Sequence, residues 1–271
     1  LMESLALWAA LGILYCLLRY VDEKGDGRKY LIRSCVLYFA VCFIHERYLA
    51  LLPLIYLALL YKKGKKKAGW FLPAGVFAVV MAIRVLTTGG VAPAGTGGTN
   101  VADTFNIMTS LRYAVDQVLY IFGVNAGPGH LSGASWAESP SWIHVQIIAA
   151  DLALLVLVIL AVIRLIRDKE GRRKALRDIS LFLVFIALCI GASSVTIRVE
   201  TRWIYVSMTA AYLLAACLYG LITAKPEHGK VVDIKREVRK AADKKAGRQS
   251  AVLCGGLFLV YIIIMAPVEN Y

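Results

Sequence analysis

An apolar run covering 31–61 is interrupted at its middle by three polar side chains, His45, Glu46 and Arg47. As one helix the run would reach about 46 Å, against about 30 Å of bilayer hydrocarbon. It is too long for one crossing and too greasy for a soluble domain. The pattern predicts a tight helical hairpin whose charged tip lies near a membrane surface. Ionisable groups at membrane depth are costly, so the tip is also a candidate working site.

The rest of the chain has the same character. Hydrophobic residues make up 59% and charged residues 18%, where soluble domains are nearer a half and a quarter. Continuous apolar runs exclude a β-barrel, which needs short alternating segments. The expected fold is all-α: a single polytopic transmembrane bundle over 1–271 with about eight spans, at 3–20, 30–45, 47–61, 68–87, 143–165, 179–197, 203–223 and 251–267. Basic clusters at Lys24, Arg28 and Lys29, at 62–67, at 164–177 and at 225–248 then all fall on one face. That face is expected to be cytoplasmic in a multi-pass plasma-membrane protein, with both termini outside. A single span over 31–61 would put the first two clusters on opposite sides, so charge parity favours the hairpin independently of length.

The net charge of +13 fits this positive-inside pattern better than a nucleic-acid surface, because the basic residues sit in short segments between apolar runs. The six cysteines lie inside apolar runs without metal-ligand spacing and read as small buried hydrophobes. No cofactor is indicated; a divalent metal is compatible, but no His/Asp ligand spacing argues for one. The chain opens at Leu1 without a basic leader region, as a C-terminal piece of a longer protein would.

The outer side receives the tip at 45–47, a long loop at 88–141, and a second tip at 198–202. Within the loop, Phe105, Met108, Leu111, Val115, Val118, Leu119 and Phe122 recur at helical spacing, while Asp103, Asn106, Asp116 and Gln117 fall on the other face. This predicts an amphipathic helix at about 103–124, lying on the outer leaflet. A basic cytoplasmic linker is expected at 224–250, able to meet anionic headgroups.

The two tips share a pattern. His45-Glu46-Arg47-Tyr48-Leu49 aligns with Glu200-Thr201-Arg202-Trp203-Ile204: acid, arginine, aromatic and aliphatic residues at the start of an inward-going helix. Guanidinium binds phosphate oxygens in pairs, so His45, Arg47, Arg198, Glu200 and Arg202 are candidate substrate-binding residues. The competing reading is a pair of rim salt bridges, Glu46–Arg47 and Glu200–Arg202. Arg84 either snorkels or pairs with Asp151. Glu46, Asp103, Asp116 and Glu138 are the candidate catalytic carboxylates, and nothing in their spacing selects among them.

The segment Phe43-Ile44-His45-Glu46-Arg47-Tyr48-Leu49-Ala50-Leu51-Leu52-Pro53, followed by the basic loop 62–67, resembles a recurrent segment of GT-C-type membrane glycosyltransferases. Glu200-Thr201-Arg202-Trp203-Ile204-Tyr205 is similar to Glu-x-Arg-aromatic turns late in their membrane domains. The resemblance implies inverting transfer of a sugar from a polyprenyl-phosphate donor on the outer face. Arg47, Arg198 and Arg202 would hold the donor phosphate, and Glu46 would orient Arg47 or the acceptor. Family members carry a catalytic acid in a first outer loop. No such loop precedes the first span here, which leaves the role to Asp103, Asp116 or Glu138, or to a segment before Leu1. The implied partners are the bilayer and the lipid-linked donor. A transporter or flippase of a lipid-linked or anionic substrate is the alternative; a glycan polymerase and a scaffold without chemistry come after it.

Overall fold

The computed structural model describes residues 2–62, 68–89, 105–125, 135–168, 171–195 and 200–224. The regular structure among them is helical: α1 (Met2–Asp22), α2 (Arg28–Ile44), a 3₁₀ segment (Glu46–Leu51), α3 (Leu52–Tyr61), α4 (Ala68–Thr88), α5 (Ile107–Ile121), a short 3₁₀ turn (Trp136–Glu138), α6 (Ser141–Arg167), α7 (Arg172–Ser194) and α8 (Thr201–Thr223). Among the described residues five helices are long and apolar enough to cross a membrane: α1, α4, α6, α7 and α8. Their outward residues include Trp8, Phe71, Val79, Leu152, Leu183 and Leu213, all exposed. Hydrocarbon covers such surface without cost, whereas water does not. The fold is that of a membrane-embedded helical protein.

The eight expected spans are resolved unevenly. The five just named fall where the hydropathy put them. The span at 251–267 and the linker at 224–250 lie outside the described residues, apart from Ala224. The two hairpin legs are shorter than a crossing requires. Helix α2 has 17 residues, or about 25 Å, and α3 has 10, or about 15 Å. The break itself falls where the charges put it, since His45 leaves the helix in an extended conformation, φ −147°. The second leg does not start as an α-helix at residue 47, because Pro53 lacks an N–H and fits only a first helical turn. The chain therefore runs as a 3₁₀ segment to Leu51, and α3 begins beside the proline.

By packing, the chain divides into two compact units, Leu1–Ser132 with Lys174–Tyr212, and Gly133–Arg173 with Leu213–Tyr271. In the first, α1 lies against α2 and α3, and α4 closes a ring by touching the same two. Thus α2 and α3 sit diagonally across a small bundle rather than side by side. Helix α1 offers Ala6, Ala10, Ile13 and Leu17, a buried stripe at helical spacing, and α2 answers with Leu31, Cys35, Tyr38 and Cys42. Gly12 lets the two helices approach, since a Cβ there would stand 3.0 Å from Leu37. Cys16, Cys35, Cys42 and Cys189 are buried, whereas Cys217 is exposed.

The loop helix α5 starts at Ile107 because Asn106 caps it, its side chain accepting from the N–H groups of Met108 and Thr109. It stops at Gly123, whose φ of +78° suits glycine. The helix is docked by its polar side. Gln117 is 0% exposed. Its Nε2 donates to Ser194 Oγ at 2.8 Å, and its Oε1 accepts from Ser193 Oγ at 2.6 Å. Beside it Ile121 packs on Ile190 and Ile204. The apolar side, with Met108, Leu111, Val115 and Phe122, is exposed. Gln117→Leu removes both bonds between the helices, while Ser193 and Ser194 keep the carbonyls of Cys189 and Ile190 as acceptors. We expect it to cost about 1 kcal/mol and to raise amide exchange in α5 before that in α1 and α2.

In the second unit, Trp136 stacks on His144 with ring centroids 4.0 Å apart, and His144 Nε2 lies 2.8 Å from the Trp136 carbonyl. Arg164 donates to the Ala224 carbonyl at 2.9 Å.

Candidate functional site

Four helix ends meet at one end of the first unit: the start of α1, the α2–3₁₀ junction, the end of α4 and the start of α8. Glu3 on α1 is the hub. Its Oε2 accepts from Arg47 Nη2 at 2.6 Å. Its Oε1 lies 2.9 Å from His45 Nε2, off the line of a good hydrogen bond, and 3.9 Å from Arg202 Nε. Arg202 is paired more closely with Glu200. Arg84 Nη1 meets Glu46 Oε1 at 2.5 Å. The two arginine-bearing tips thus converge on one carboxylate.

The pairing differs from both readings of the sequence. Glu46 binds Arg84 rather than Arg47, and Arg47 binds Glu3. Arg84 is buried and paired with Glu46, so it does not snorkel. Glu200–Arg202 is the rim pair that the sequence suggested. Arginines 47, 84 and 202 face glutamates 3, 46 and 200, so the cluster is neutral overall. One of its cations works against a local field. Arg202 sits in the first turn of α8, where the helix dipole is positive, and Glu200 and Glu3 offset it. Burial first, and then the Arg47 charge, holds the His45 imidazole below its ordinary pKa, with Glu3 pulling the other way.

Arg47 is the member of the cluster that lines a crevice. Its side chain is 12% exposed, and its Nη1 is buried without a hydrogen-bond partner. The guanidinium lies over the rings of Tyr48 and Trp203, 5.2 and 5.7 Å from their centroids. These three residues form the polar end of a crevice that continues along Leu51, Leu188, Cys189, Ala192 and Val206. Leu51 and Val206 lie about one helical turn further from the tips than Arg47 and Trp203. No space between these walls is wide enough for a water molecule. A ligand therefore enters by parting side chains.

Of the candidate carboxylates in the first unit, Glu46 lies among the arginines and Asp116 does not. Asp116 is buried on α5, and its Oδ2 has no partner. Helix α5 packs on Ile190, Ser193 and Ile204, whereas the crevice uses Cys189, Ala192 and Val206. At 100° per residue these faces point about 100° apart on α7 and about 160° apart on α8. Glu138 is exposed in the second unit and closes a capping box with Ser135. Asp103 and Arg198 lie outside the described residues. Among the described residues no three His, Cys, Asp or Glu side chains gather to hold a metal ion.

Burial raises the Asp116 carboxyl above its ordinary pKa, and Arg112 only partly opposes this. A raised folded-state pKa gives stability that is complete below the unfolded value, near 3.8, and lost as pH climbs through the folded one. Asp116→Asn is therefore expected to stabilise the chain by about 1 kcal/mol at pH 7 and to flatten its melting profile above pH 4.

The member of the cluster hidden from the sequence is Glu3. Its one signal is an acid in the first turn of an apolar helix, which reads as an ordinary dipole partner.

The fold and site define a membrane-embedded helical protein with a neutral arginine–glutamate cluster at one end of a helical unit, beside a narrow amphipathic crevice. Comparison with family models, curated proteins and solved structures returns no match.

Proposed function

We propose that the chain is a membrane glycosyltransferase, or a piece of one, that takes a sugar from a polyprenyl-phosphate donor at the non-cytosolic face. One observation carries this reading. The half-satisfied Arg47 stands at the mouth of a crevice whose depth is aliphatic, and such a site suits a phosphate head on a hydrocarbon tail. A soluble sugar nucleotide would leave the apolar walls unused. The donor phosphate takes the place of Glu3 between Arg47 and Arg202, and its charge is met by two guanidinium groups. The Lys/Arg-rich helix ends face the cytoplasm, so the Glu3 end faces out.

In the reaction, the bond from the sugar C1 to the phosphate oxygen breaks as the acceptor hydroxyl attacks. The leaving phosphate keeps the electron pair, stabilised by Arg47 and Arg202. The hydroxyl proton passes to a carboxylate. Glu46 is held by Arg84 and Asp116 faces elsewhere, so the displaced Glu3 is the group assigned to accept it.

The test uses the full chain in nanodiscs with a short-chain polyprenyl phosphate, and the matching polyprenol as the arm without phosphate. Saturable binding of the phosphate, at least tenfold tighter than the alcohol, is expected. Equal binding of the two would overturn the assignment.

A further inference from the structure

The opposite end of the first unit carries a second concentration of charge, built differently. Three cations surround the ring of Tyr30. Lys29 Nζ is 5.0 Å from its centroid, the Arg19 guanidinium 5.6 Å and that of Arg33 5.9 Å. Arg19 comes from α1, and the other two come from α2. All three are exposed, whereas Tyr30 is half-buried. Like charges gathered this closely repel unless an anion sits among them.

The nearby acids fill that role only in part. Asp22 is held by Lys174 at 2.6 Å and by Arg177. Asp26 lies by Tyr20, and Glu23 is near enough to attract Arg19, whose guanidinium also donates to the Tyr30 hydroxyl. The start of α2 adds to the imbalance. Its N-cap is Gly27, which offers no side-chain acceptor, and its first turn holds Arg28 and Lys29 with no acid. Cations there oppose the helix dipole, and an anion would favour it.

What lies next to the cluster selects the kind of anion. Tyr15, one turn from Arg19 on α1, is exposed, as are Ile32 and Val36 beside Arg33 on α2. A basic band therefore passes directly into an apolar band on the same two helices, the profile of a phospholipid headgroup above its acyl chains.

We propose that Arg19, Lys29 and Arg33, gathered around Tyr30, bind the phosphate headgroup of an anionic phospholipid in the leaflet at the Lys/Arg-rich end of this unit. The aromatic ring holds the cations in place, and the lipid phosphate neutralises them. The site is independent of the Arg47 crevice at the far end of α1, and neither requires the other.

The experiment places the full chain in nanodiscs of phosphatidylcholine containing a fraction of phosphatidylglycerol, and counts the lipid retained on release by native mass spectrometry. Preferential retention of phosphatidylglycerol is expected. Each cation removed should weaken it about fivefold, so Arg19→Gln/Lys29→Gln/Arg33→Gln should lose roughly a hundredfold. The equally basic control Arg167→Gln/Arg172→Gln/Arg173→Gln should keep it. The single variant Lys29→Gln changes one exposed side chain and should lose about fivefold even if the triple variant fails to fold. Equal loss in the control, no preference for phosphatidylglycerol, or displacement of the lipid by millimolar inorganic phosphate would each overturn the proposal. The last outcome would mark a site for anions from solution.

Discussion

Arg47→Ala is expected to lower polyprenyl-phosphate-dependent sugar transfer by about 10²- to 10³-fold while the protein still reaches the membrane in normal amount. Removing one partner of a desolvated, charge-assisted contact costs about 2–5 kcal/mol, and Arg47 is the buried member of the pair at the crevice, with Nη1 left for a ligand. Arg202 is 54% exposed and closely paired with Glu200, so Arg202→Ala should cost nearer tenfold. Arg47→Lys keeps the charge and loses the planar fork, and an intermediate loss is expected. The order Arg47→Ala, Arg47→Lys, Arg202→Ala, from most to least harmful, distinguishes a phosphate clamp from a rim salt bridge. A structural role would instead make the losses follow protein yield. Normal transfer by the Arg47→Ala/Arg202→Ala double variant at normal yield would end the assignment.

The sequence showed the tips and concealed what joins them. Charges at 45–47 in a greasy run could hardly be continuous helix, and the chain does leave the helix at His45. The acid–arginine–aromatic order recurs in the two tips, and Arg47 and Arg202 both approach Glu3. Glu3 stayed hidden because an acid opening an apolar helix is ordinary chemistry, and its pairing with residues 44 and 199 positions away leaves no local trace. Glu46 was harder still, since its neighbour Arg47 is the obvious partner by spacing. The real one, Arg84, lies at the far end of α4. Helix lengths were misjudged where Pro53 acts, as hydropathy does not register a missing N–H. For α5 the two faces were legible, but not which face would be buried. Burying Gln117 needs partners, and these are Ser193 and Ser194, adjacent hydroxyls in an otherwise apolar stretch of α7. That stretch was the available clue.

Glu3→Gln should separate binding from chemistry at the site. In the free protein Glu3 is the anion that both Arg47 and His45 approach. Its loss leaves Arg47 charged and mostly buried, which should cost about 2 kcal/mol, less than a fully buried pair because Glu3 itself is partly exposed. The same loss frees the guanidinium for a ligand. Polyprenyl phosphate should therefore bind Glu3→Gln about five- to tenfold more tightly than it binds the native chain. It should also restore the lost stability once present near a hundredfold excess over its dissociation constant, where linkage supplies about 2.7 kcal/mol. Transfer should nonetheless fall by about 10²-fold or more, since glutamine cannot accept the acceptor's proton. Tighter binding with slower transfer is a signature that neither a purely structural glutamate nor a spectator produces. A structural one would weaken both, and a spectator would change neither. If Glu3→Gln bound the lipid phosphate more weakly than the native chain, the idea that the phosphate replaces this carboxylate would fail, whatever became of activity.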